Sequence, residues 1–427
     1  MLITDLYQIY RDNPAICTDS RKCSPGALFF ALKGDSFDGN QFAAQALQAG
    51  CRYAVVDDPS VVAGSQYVLV DNVLFTLQQL AAYHRQLLQT PVIGITGTNG
   101  KTTTKELLAA VLSTKYNVLY TSGNLNNHIG VPLTLLHLRH AHEMAIIEMG
   151  ANHGGEIREL AQIARPDYGI ITNIGKAHLE GFGSLEGVVR AKGELYDYLR
   201  QTNGKIFIHK DNAFLQSIAE GLKQITYGEN QDAFVSGRVV NSSPVLCFEW
   251  ENAGERHTIS THLAGGYNLT NMLAAITAGV YFGVPAAEIN RAISDYVPTN
   301  NRSQWKTSFH NNLLIDAYNA NPSSMQAALE NFVSLPAHPK AVILGDMLEL
   351  GAESRTLHVA LLEQLDNFGF EKVLLCGTQF SATGSFHPCF PDTESLSRYI
   401  SANPLHGYHI LIKGSHGIHL EKIIELL

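Results

Sequence analysis

Residues 94–106 read GITGTNGKTTTKE, a glycine-rich turn followed by a lysine, three threonines and helix-forming residues. Small residues let backbone N–H groups approach phosphate oxygens, and the N-terminus of a following helix adds a favourable dipole. Gly100, Lys101 and Thr102 match the end of a phosphate-binding loop, in which the lysine reaches the β- and γ-phosphates and the hydroxyl ligates Mg²⁺. Ile95 stands where the standard pattern has its first glycine, and the alternative is an ordinary strand–turn–helix corner. The predicted loop comprises Gly97, Thr98, Asn99, Gly100, Lys101, Thr102 and Thr103.

Apolar strands alternate with amphipathic helices around this loop, from about residue 89 to 296. That alternation predicts a parallel sheet with helices on both faces. Residues 232–264 alternate with a period of two and predict antiparallel strands attached to this sheet. Smaller α/β units are predicted before it, in residues 1–88, and after it, in residues 297–427. The predicted fold class is therefore α/β with three domains, the central one carrying the phosphate-binding loop.

The bulk composition is that of a globular protein with more than one core. The 427 residues are 45% hydrophobic and 16% charged, with a formal net charge of −9, which gives no basic surface for nucleic acid. The six cysteines form no CxxC pair, so isolated reduced thiols are expected. No apolar run approaches the roughly 18 residues of a membrane span, and the N-terminal residues lack the features of a secretion signal. We therefore expect a cytoplasmic protein, and a monomer.

Acidic residues follow several predicted strands, at the edge where open α/β sheets bind their ligands. Glu148 ends MAIIE and is placed to hold Mg²⁺ near the loop, although a solvated or capping role is the alternative. For Asp346, which follows AVILG, the solvated or capping role is favoured. The histidines of HLRHAH, His137, His140 and His142, are interpreted as solvated surface residues.

Residues 187–200, GVVRAKGELYDYLR, are predicted to form a helix with Lys192 inside its apolar stripe. The lysine can extend its amine to water, which the pattern by itself favours. Alternatively, desolvation lowers its pKa from about 10.4 and leaves a neutral amine. Such an amine can take up CO₂ as a carbamate and become a metal ligand. Together with Glu148 and His178, which follows YGIITN, this second alternative predicts a second Mg²⁺ site.

Eight motifs resemble the Mur ligase family in their order and approximate spacing. They are GTNGKTTTKE, GNLNNHIGVPLTLL, EMGANHGGEI, AHLEGFGS, AKGELYDYL, DAYNANPSSM, LGDMLELG and LIKGS. The resemblance covers nearly the whole chain, including TDSR and ALKGDSFDGNQF near the N-terminus. It accounts for Ile95, because the loop of this family has the shorter form GTNGK[ST]. GNLNN and YNAN are specific to one branch, whereas the loop is shared with a wider group that includes folylpolyglutamate synthases.

The resemblance implies an N-terminal domain for a UDP-sugar, a central ATPase domain and a Rossmann-like C-terminal domain that closes over the site. The implied activity is the ATP-dependent joining of D-alanyl-D-alanine to UDP-N-acetylmuramoyl-tripeptide through an acyl phosphate, a step in peptidoglycan precursor synthesis for the cell wall. Lys101, Glu148, His178 and Lys192 would act in catalysis. Two Mg²⁺ ions are implied, the first held by Thr102 and Glu148 and the second by His178 and a carbamate on Lys192.

The resemblance also implies four groups of binding residues. The UDP moiety would contact Ser20, Arg21, Lys33 and Asn40. The muramoyl-peptide would face Asn124, Asn126 and Asn127. Adenine would lie near Asn268 and Asn271. The nucleotide and dipeptide side of the C-terminal domain would be lined by Arg302, Asp316, Tyr318, Asn319 and Asn321.

Four residues at three sites depart from the pattern of the family. Tyr267 stands where an arginine or histidine is common, before the asparagine of the adenine loop. Asn300 and Asn301 replace the usual proline and glycine, and His416 follows KGS where another basic residue is usual. Two alternative functions stay open at this point. One is another amide ligase of the same group, with an amino acid or glutamate as the amine, and the other is a nucleotide-binding switch without enzymatic activity.

Overall fold

The computed structural model describes residues 1–427, in which three sheets of four, nine and six strands follow one another along the chain. The first unit has a parallel sheet in the order β1–β2–β5–β6 and a separate β3–β4 hairpin. The apolar runs ALFFAL, YAVVD and YVLV contain three of the parallel strands. Its elements are α1 Ile3–Asp12, β1 Ile16–Cys17, β2 Leu28–Phe30, β3 Lys33–Gly34, β4 Phe37–Asp38, α2 Ala43–Gln48, β5 Tyr53–Val56, β6 Tyr67–Leu69 and α3 Val73–Leu88.

The second unit is built on the large sheet, with strand order β15–β14–β13–β12–β11–β10–β7–β9–β8. The seven strands from β8 to β13 in this order are parallel, which confirms the predicted parallel sheet. The first half of its elements is β7 Val92–Thr96, α4 Lys101–Leu112, β8 Val118–Tyr120, α5 Gly130–Leu135, β9 Met144–Glu148, α6 Glu156–Ala164, β10 Tyr168–Ile171, α7 Leu179–Phe182 and α8 Leu185–Gln201. The second half is β11 Lys205–His209, α9 Ala213–Ser217, β12 Lys223–Gly228, β13 Val235–Asn241, β14 Cys247–Asn252, β15 Glu255–Ser260, α10 Leu269–Tyr281 and α11 Ala286–Asp295.

The predicted antiparallel segment is present at one edge of this sheet. Strand β14 pairs antiparallel with both β13 and β15. Phe248 and Trp250 on β14 are buried while the residues between them are half-buried, which is the period-two alternation of a strand with one face on a core.

The third unit carries a sheet in the order β16–β17–β21–β18–β19–β20, parallel except for the edge strand β16. Strands β17, β18, β19 and β21 are apolar runs of five or six residues. Strands β16 and β20 were not predicted, because β16 reads QWKT and β20 has only two residues. The elements are β16 Gln304–Thr307, β17 Asn312–Asp316, α12 Pro322–Ser334, β18 Lys340–Gly345, α13 Ser354–Phe368, β19 Lys372–Cys376, α14 Thr378–Ser381, β20 Cys389–Phe390, α15 Thr393–Ala402 and β21 His409–Lys413.

Alternate residues of the central strands enter two different cores. On β9, Ala145 and Ile147 belong to one core, and Met144 and Ile146 belong to the other. Successive side chains of a strand point to opposite faces, so helices cover the sheet on both sides, as predicted. The first of these cores continues into the N-terminal unit, where α3 packs against α5 and α6. None of the helices combines the length and apolar character needed to cross a bilayer.

Candidate active site

The phosphate-binding loop connects β7 to α4 at the carboxyl edge of the central sheet. Gly97 has φ +140° and Gly100 has φ +79°, backbone conformations that side chains disfavour. A Cβ on Gly97 would lie 2.0 Å from Thr172 Oγ1, and a Cβ on Gly100 would lie 2.5 Å from Asn271 Oδ1. The glycines are therefore required by space as well as by conformation.

The residues that directly follow the neighbouring strand β10 fix this loop by hydrogen bonds, which the sequence did not reveal. Thr172 donates its hydroxyl to Asn99 O at 2.6 Å. Asn173 accepts from the backbone N–H of Thr98 at 2.9 Å and of Asn99 at 3.0 Å, using its carbonyl and its side chain respectively. The loop is thus fixed at several points before any ligand is considered.

Lys101 begins helix α4 and folds its amine back over the loop. Its Nζ donates to Gly97 O at 2.7 Å and to Thr98 O at 3.0 Å. Burial lowers the pKa of Lys101 to about 8, although the Glu148 carboxylate opposes this shift. The amine therefore lies where the predicted phosphates would meet the loop.

Glu148, the last residue of β9, is buried beside the loop with one oxygen partnered and one free. Its Oε1 accepts from Asn126 Nδ2 at 2.8 Å and from Thr102 Oγ1 at 3.2 Å. Its Oε2 has no hydrogen-bond partner and is buried. Glu148 and Thr102 were predicted as a pair, and the structure brings them together because β7 and β9 are adjacent parallel strands.

Lys105 completes this group and was missed from the sequence. It is buried, and its Nζ lies 3.6 Å from Glu148 Oε2 and donates to Gly123 O at 3.2 Å. Its position one turn after Thr102, within the same motif, was the available signal, because residues three apart share a helix face.

Lys192 is 1% exposed, so its amine does not reach water as the sequence pattern by itself favoured. Helix α8, capped by Ser184, packs its apolar stripe against α6 and takes the lysine inward with it. The Nζ donates to Ala151 O at 3.2 Å and lies 5.1 Å from the centre of the Phe182 ring. Burial, and secondarily the charge of Lys101, hold the pKa of Lys192 well below its usual value.

His178 also contacts the Phe182 ring, edge to face, at a ring-centre distance of 6.3 Å. Its backbone is left-handed, with φ +50°, and its Nδ1 contacts the carboxylate of Glu349. Glu349 belongs to the third unit, within LGDMLELG, and the sequence had not assigned it a role. His178 and Lys192 are thus neighbours through Phe182, but no hydrogen bond joins them.

Two buried asparagines, both predicted, connect the loop to helix α10. Asn271 Oδ1 accepts from Thr104 Oγ1 at 3.1 Å, and its Nδ2 donates to Asn268 Oδ1 at 2.9 Å. Asn268 in turn donates to Ala264 O at 2.8 Å. Next to them, the hydroxyl of Tyr267 is 2.9 Å from Ser303 Oγ, so this tyrosine occupies the interface with the third unit.

The third unit presents two cationic side chains to the loop. The Arg302 guanidinium lies 3.8 Å from the centre of the Tyr318 ring, and its buried Nε has no hydrogen-bond partner. The buried Lys413, which the sequence did not single out, donates to Asp316 Oδ2 at 2.6 Å and to Asn319 O at 2.9 Å.

Asn321 joins the third unit directly to the phosphate-binding loop. It caps α12 by accepting from Ser324 N at 2.9 Å, and its Nδ2 donates to Asn99 Oδ1 at 2.8 Å. Asn99 also donates to Ser323 Oγ at 3.2 Å. The two units are therefore in contact at the loop in this structure.

The central and third units enclose a cleft of about 650 Å³ around these groups. The predicted site residues that line it are Thr98, Asn99, Gly100, Lys101, Thr102, Thr103, Asn124, Asn126, Asn127, Glu148, His178, Asn268, Asn271, Arg302, Asp316, Tyr318 and Asn319. Gly97, Lys192 and Asn321 are not among its lining residues. Of the three asparagines predicted for the peptide, Asn127 also caps α5 by accepting from Ile129 N and Gly130 N.

The residues predicted to contact UDP lie outside this cleft, in the N-terminal unit. Ser20 is buried and donates to Gln45 Oε1 at 3.2 Å. Arg21 and Lys33 are exposed. Asn40 is buried, and both hydrogens of its amide are used, by Asp38 and Asp57 at 2.8 Å each. The contact of these residues with UDP stays a prediction.

The remaining polar candidates have structural surroundings. Asp346 is buried rather than solvated and caps α14, accepting from Gln379 N at 2.8 Å and Phe380 N at 2.9 Å. His137 and His140 are exposed and His142 is half-buried, and they form no cluster of the kind that holds a metal.

Comparison with known proteins identifies the family. Three family models match in order: the Mur ligase family catalytic domain over residues 15–90, the Mur ligase middle domain over 95–279 and the Mur ligase glutamate ligase domain over 301–416. The UDP-N-acetylmuramoyl-tripeptide–D-alanyl-D-alanine ligase of Bacillus subtilis is 37% identical over 423 residues, which cover 96% of this chain and 92% of that protein. The chain belongs to the Mur ligase family.

Solved structures of Mur ligases share its architecture. A crystal structure of MurF from Acinetobacter baumannii matches with a TM-score of 0.87 and 30% identity over 98% of each chain. The MurF ligase from Thermotoga maritima in complex with ADP matches with a TM-score of 0.86 and 26% identity over 97% of each chain. These matches confirm an α/β fold of three Mur ligase domains with the phosphate-binding loop in the middle one.

Proposed function

We propose that this chain is an ATP-dependent amide ligase that joins D-alanyl-D-alanine to UDP-N-acetylmuramoyl-tripeptide in peptidoglycan precursor synthesis. The names of its relatives support this substrate pair, and the ADP complex of the Thermotoga maritima protein supports a nucleotide in the cleft. The observation that carries the proposal is one cleft lined by the loop lysine, Lys101, and by Glu148, a buried carboxylate with an unpartnered oxygen. The buried Lys192 donates to Ala151, another residue of the cleft lining.

The chemistry addresses a carboxylate, which is a poor electrophile. The terminal carboxylate of the tripeptide attacks the γ-phosphorus of ATP, so an acyl phosphate forms and ADP leaves. The amine of D-alanyl-D-alanine then attacks the acyl carbon, forming the C–N bond and releasing phosphate and a proton. Lys101 is placed to neutralise charge on the transferred phosphoryl group. Contact between the third unit and the loop, through Asn99 and Asn321, would keep water away from the acyl phosphate.

Thr102 and Glu148 fit a first Mg²⁺ ion. Mg²⁺ prefers oxygen ligands, and the free Oε2 of Glu148 is a buried anionic oxygen without a hydrogen-bond partner. A bound Mg²⁺ would supply charge that offsets the phosphate oxygens. The amine of Lys105 lies 3.6 Å from this oxygen and places a positive charge beside the carboxylate.

Lys192 and His178 fit a second ion if the lysine is carbamylated. Burial lowers the pKa of Lys192 and so favours the neutral amine, which is the form that adds to CO₂. The carbamate would be an oxygen ligand, and His178 would bind the same ion by a ring nitrogen. Glu349, in contact with Nδ1 of this histidine, would then orient the ring.

The assignment of binding residues and domain boundaries is part of this proposal. The UDP moiety would lie on the N-terminal domain, residues 1–88, at Ser20, Arg21, Lys33 and Asn40. The central domain, 89–296, would hold the nucleotide by its loop, with adenine near Asn268 and Asn271, and the muramoyl-peptide at Asn124, Asn126 and Asn127. The C-terminal domain, 297–427, would complete the nucleotide and dipeptide side through Arg302, Asp316, Tyr318, Asn319 and Asn321. A cytoplasmic monomer without nucleic-acid partners stays our prediction.

A panel of amines tests the substrate assignment. Purified protein is given ATP, Mg²⁺ and UDP-muramoyl-tripeptides whose third residue is lysine or diaminopimelate, together with D-alanyl-D-alanine, glutamate or a diamino acid. We expect phosphate release and a new amide only with the dipeptide. Use of glutamate or a diamino acid in place of the dipeptide would show another ligase of the group. ATP binding without phosphate release that depends on both substrates would show a nucleotide-binding switch.

A further inference from the structure

Three of the six cysteines meet in the N-terminal unit, although isolated thiols were expected from the sequence. Cys17 ends β1, Cys23 follows a short 3₁₀ helix, and Cys51 lies between α2 and β5. Their sulfur atoms all lie within 4.8 Å of one another, and those of Cys17 and Cys23 are 2.8 Å apart. Cys17 and Cys51 are buried, and Cys23 is half-buried. No step of the proposed ligase reaction uses this cluster.

The spacing suits a metal ion of the thiophilic class. Three sulfurs at metal–sulfur bonds of about 2.3 Å around one ion lie roughly 4 Å apart, so small side-chain movements convert the present arrangement into such a site. An oxygen donor is also directed at the cluster, since Asp19 O accepts from Cys17 Sγ at 3.0 Å and faces Cys23 Sγ at 3.8 Å. Thiolates together with one further donor are the ligand set that structural zinc sites use.

The surroundings argue against a pair of cysteines primed for disulfide exchange. Burial raises the pKa of the Cys17 thiol to about 12 and that of Cys23 to about 11, and it also raises the pKa of Cys51. Reactive cysteines have lowered pKa values, because the thiolate is the nucleophile.

We propose that Cys17, Cys23 and Cys51 form a binding site for one thiophilic divalent cation of the zinc class, with Asp19 O or a water as the fourth ligand. On binding, three S–H bonds break, three metal–sulfur bonds form and three protons pass to solvent, so no oxidant is required. The ion would tie the loop that carries Ser20 and Arg21 to the segment before β5. This site is separate from the Mg²⁺ sites of the cleft and does not depend on the proposed reaction.

Zinc and cobalt titrations of the full-length chain test this proposal. The reduced, chelator-treated protein is titrated with Zn²⁺ against a chromophoric chelator in excess Mg²⁺, and with Co²⁺ for thiolate-to-cobalt charge-transfer absorption. We expect one Zn²⁺ per chain, the cobalt absorption band and a higher Tm with zinc. Cys17→Ala and Cys51→Ala should each weaken zinc binding at least about tenfold, whereas Cys247→Ala, outside the cluster, should not change it.

Several results would overturn the site. They are failure of the folded wild-type chain to take up zinc, equal zinc affinity in the cluster variants, and zinc lost on substitution of His178 instead. A Cys17–Cys23 disulfide in a chain whose reduced form rejects zinc would replace it with a redox pair. Cys17→Ser and Cys51→Ser, checked by cooperative thermal unfolding and by ATP binding, keep a loss of binding distinct from a failure to fold.

Discussion

The cleft between the central and third units and the predicted UDP surface of the N-terminal unit differ in how far their charged side chains are buried. Glu148 and Lys192 are each 1% exposed and are fixed by packing and hydrogen bonds. Arg21 and Lys33 are exposed and paired with carboxylates, at 2.9 Å to Asp19 and 3.0 Å to Asp57. Exposed ion pairs contribute little to stability and exchange partners readily. We infer that the proposed chemistry depends on side chains that folding already holds in place. The proposed recognition of the UDP-sugar depends instead on ion pairs that can rearrange around a ligand.

The largest effect is expected at the phosphate-binding loop, where a substitution tests most directly whether the cleft depends on groups fixed in place. Gly97→Ala would place a Cβ 2.0 Å from Thr172 Oγ1 at a φ of +140°, so we expect no measurable ATP binding and no ligase activity. Strain of this kind costs about 1–3 kcal/mol. ATP binding by calorimetry and thermal unfolding would measure both effects. Gly154→Ala, where a Cβ meets nothing within 4 Å, is the control. Normal ATP affinity in Gly97→Ala would contradict a loop fixed by its surroundings.

Lys192→Ala should lower kcat at least about 100-fold while leaving the cooperative unfolding transition in place, because the proposed role of the lysine is that of a metal ligand. Activity of the wild-type chain should also fall when CO₂ is removed and return with bicarbonate. Arg190→Ala, at an exposed position of the same helix, is the matched control and should retain activity. An unchanged turnover would exclude the ligand role, and loss of the folded state would show that the lysine serves packing.

Arg21→Ala tests the exposed ion pairs of the predicted UDP surface. We expect KM for the UDP-linked substrate to rise roughly tenfold, the value of one charge-assisted hydrogen bond. The kcat should not change, since a contact made equally in ground and transition states alters KM alone. Lys22→Ala, exposed and adjacent, is the control. Steady-state kinetics distinguishes these cases, and a fall in kcat with constant KM would place Arg21 in the chemistry instead.

Ser323→Ala should have the smallest effect, because it removes one hydrogen bond between the third unit and Asn99. A net bond at the weak end of the usual range, about 0.5–1 kcal/mol, predicts a rise of about two- to fivefold in KM for ATP, with stability unchanged. Ser334→Ala, exposed near the end of the same helix, serves as the comparison. An effect as large as that of Lys192→Ala would mean that contact between the units controls catalysis.

Much of the fold followed from local pattern. The period-two and helical alternations identified most strands and helices of the three units. An element that buries one face carries apolar residues at regular intervals, and this pattern is visible in the local sequence. The short edge strands β16 and β20 escaped, since few apolar side chains mark them. For the site, adjacency of Thr102 and Glu148 was predictable, because parallel strands end at the same edge of a sheet.

The burial of Lys192 could not be predicted from the sequence pattern. A lysine within an apolar stripe is compatible with an amine in water or with one fully enclosed, and the stripe cannot distinguish the two. Packing of α8 against α6 decided the matter. Similarly, Glu349 contacts His178 only because the third unit folds against the central one.

The sequence by itself determined the phosphate-binding loop, the parallel sheet that carries it and the resemblance to a ligase family, because each is a short motif or a local periodicity. Only the tertiary structure decided that Lys105 faces Glu148, that Lys192 is buried and that Cys17, Cys23 and Cys51 meet. Those groups approach through packing of separated segments, which no local run of residues specifies. The shifted pKa values of Lys192 and of the three cysteines arise chiefly from the loss of water at the packed positions.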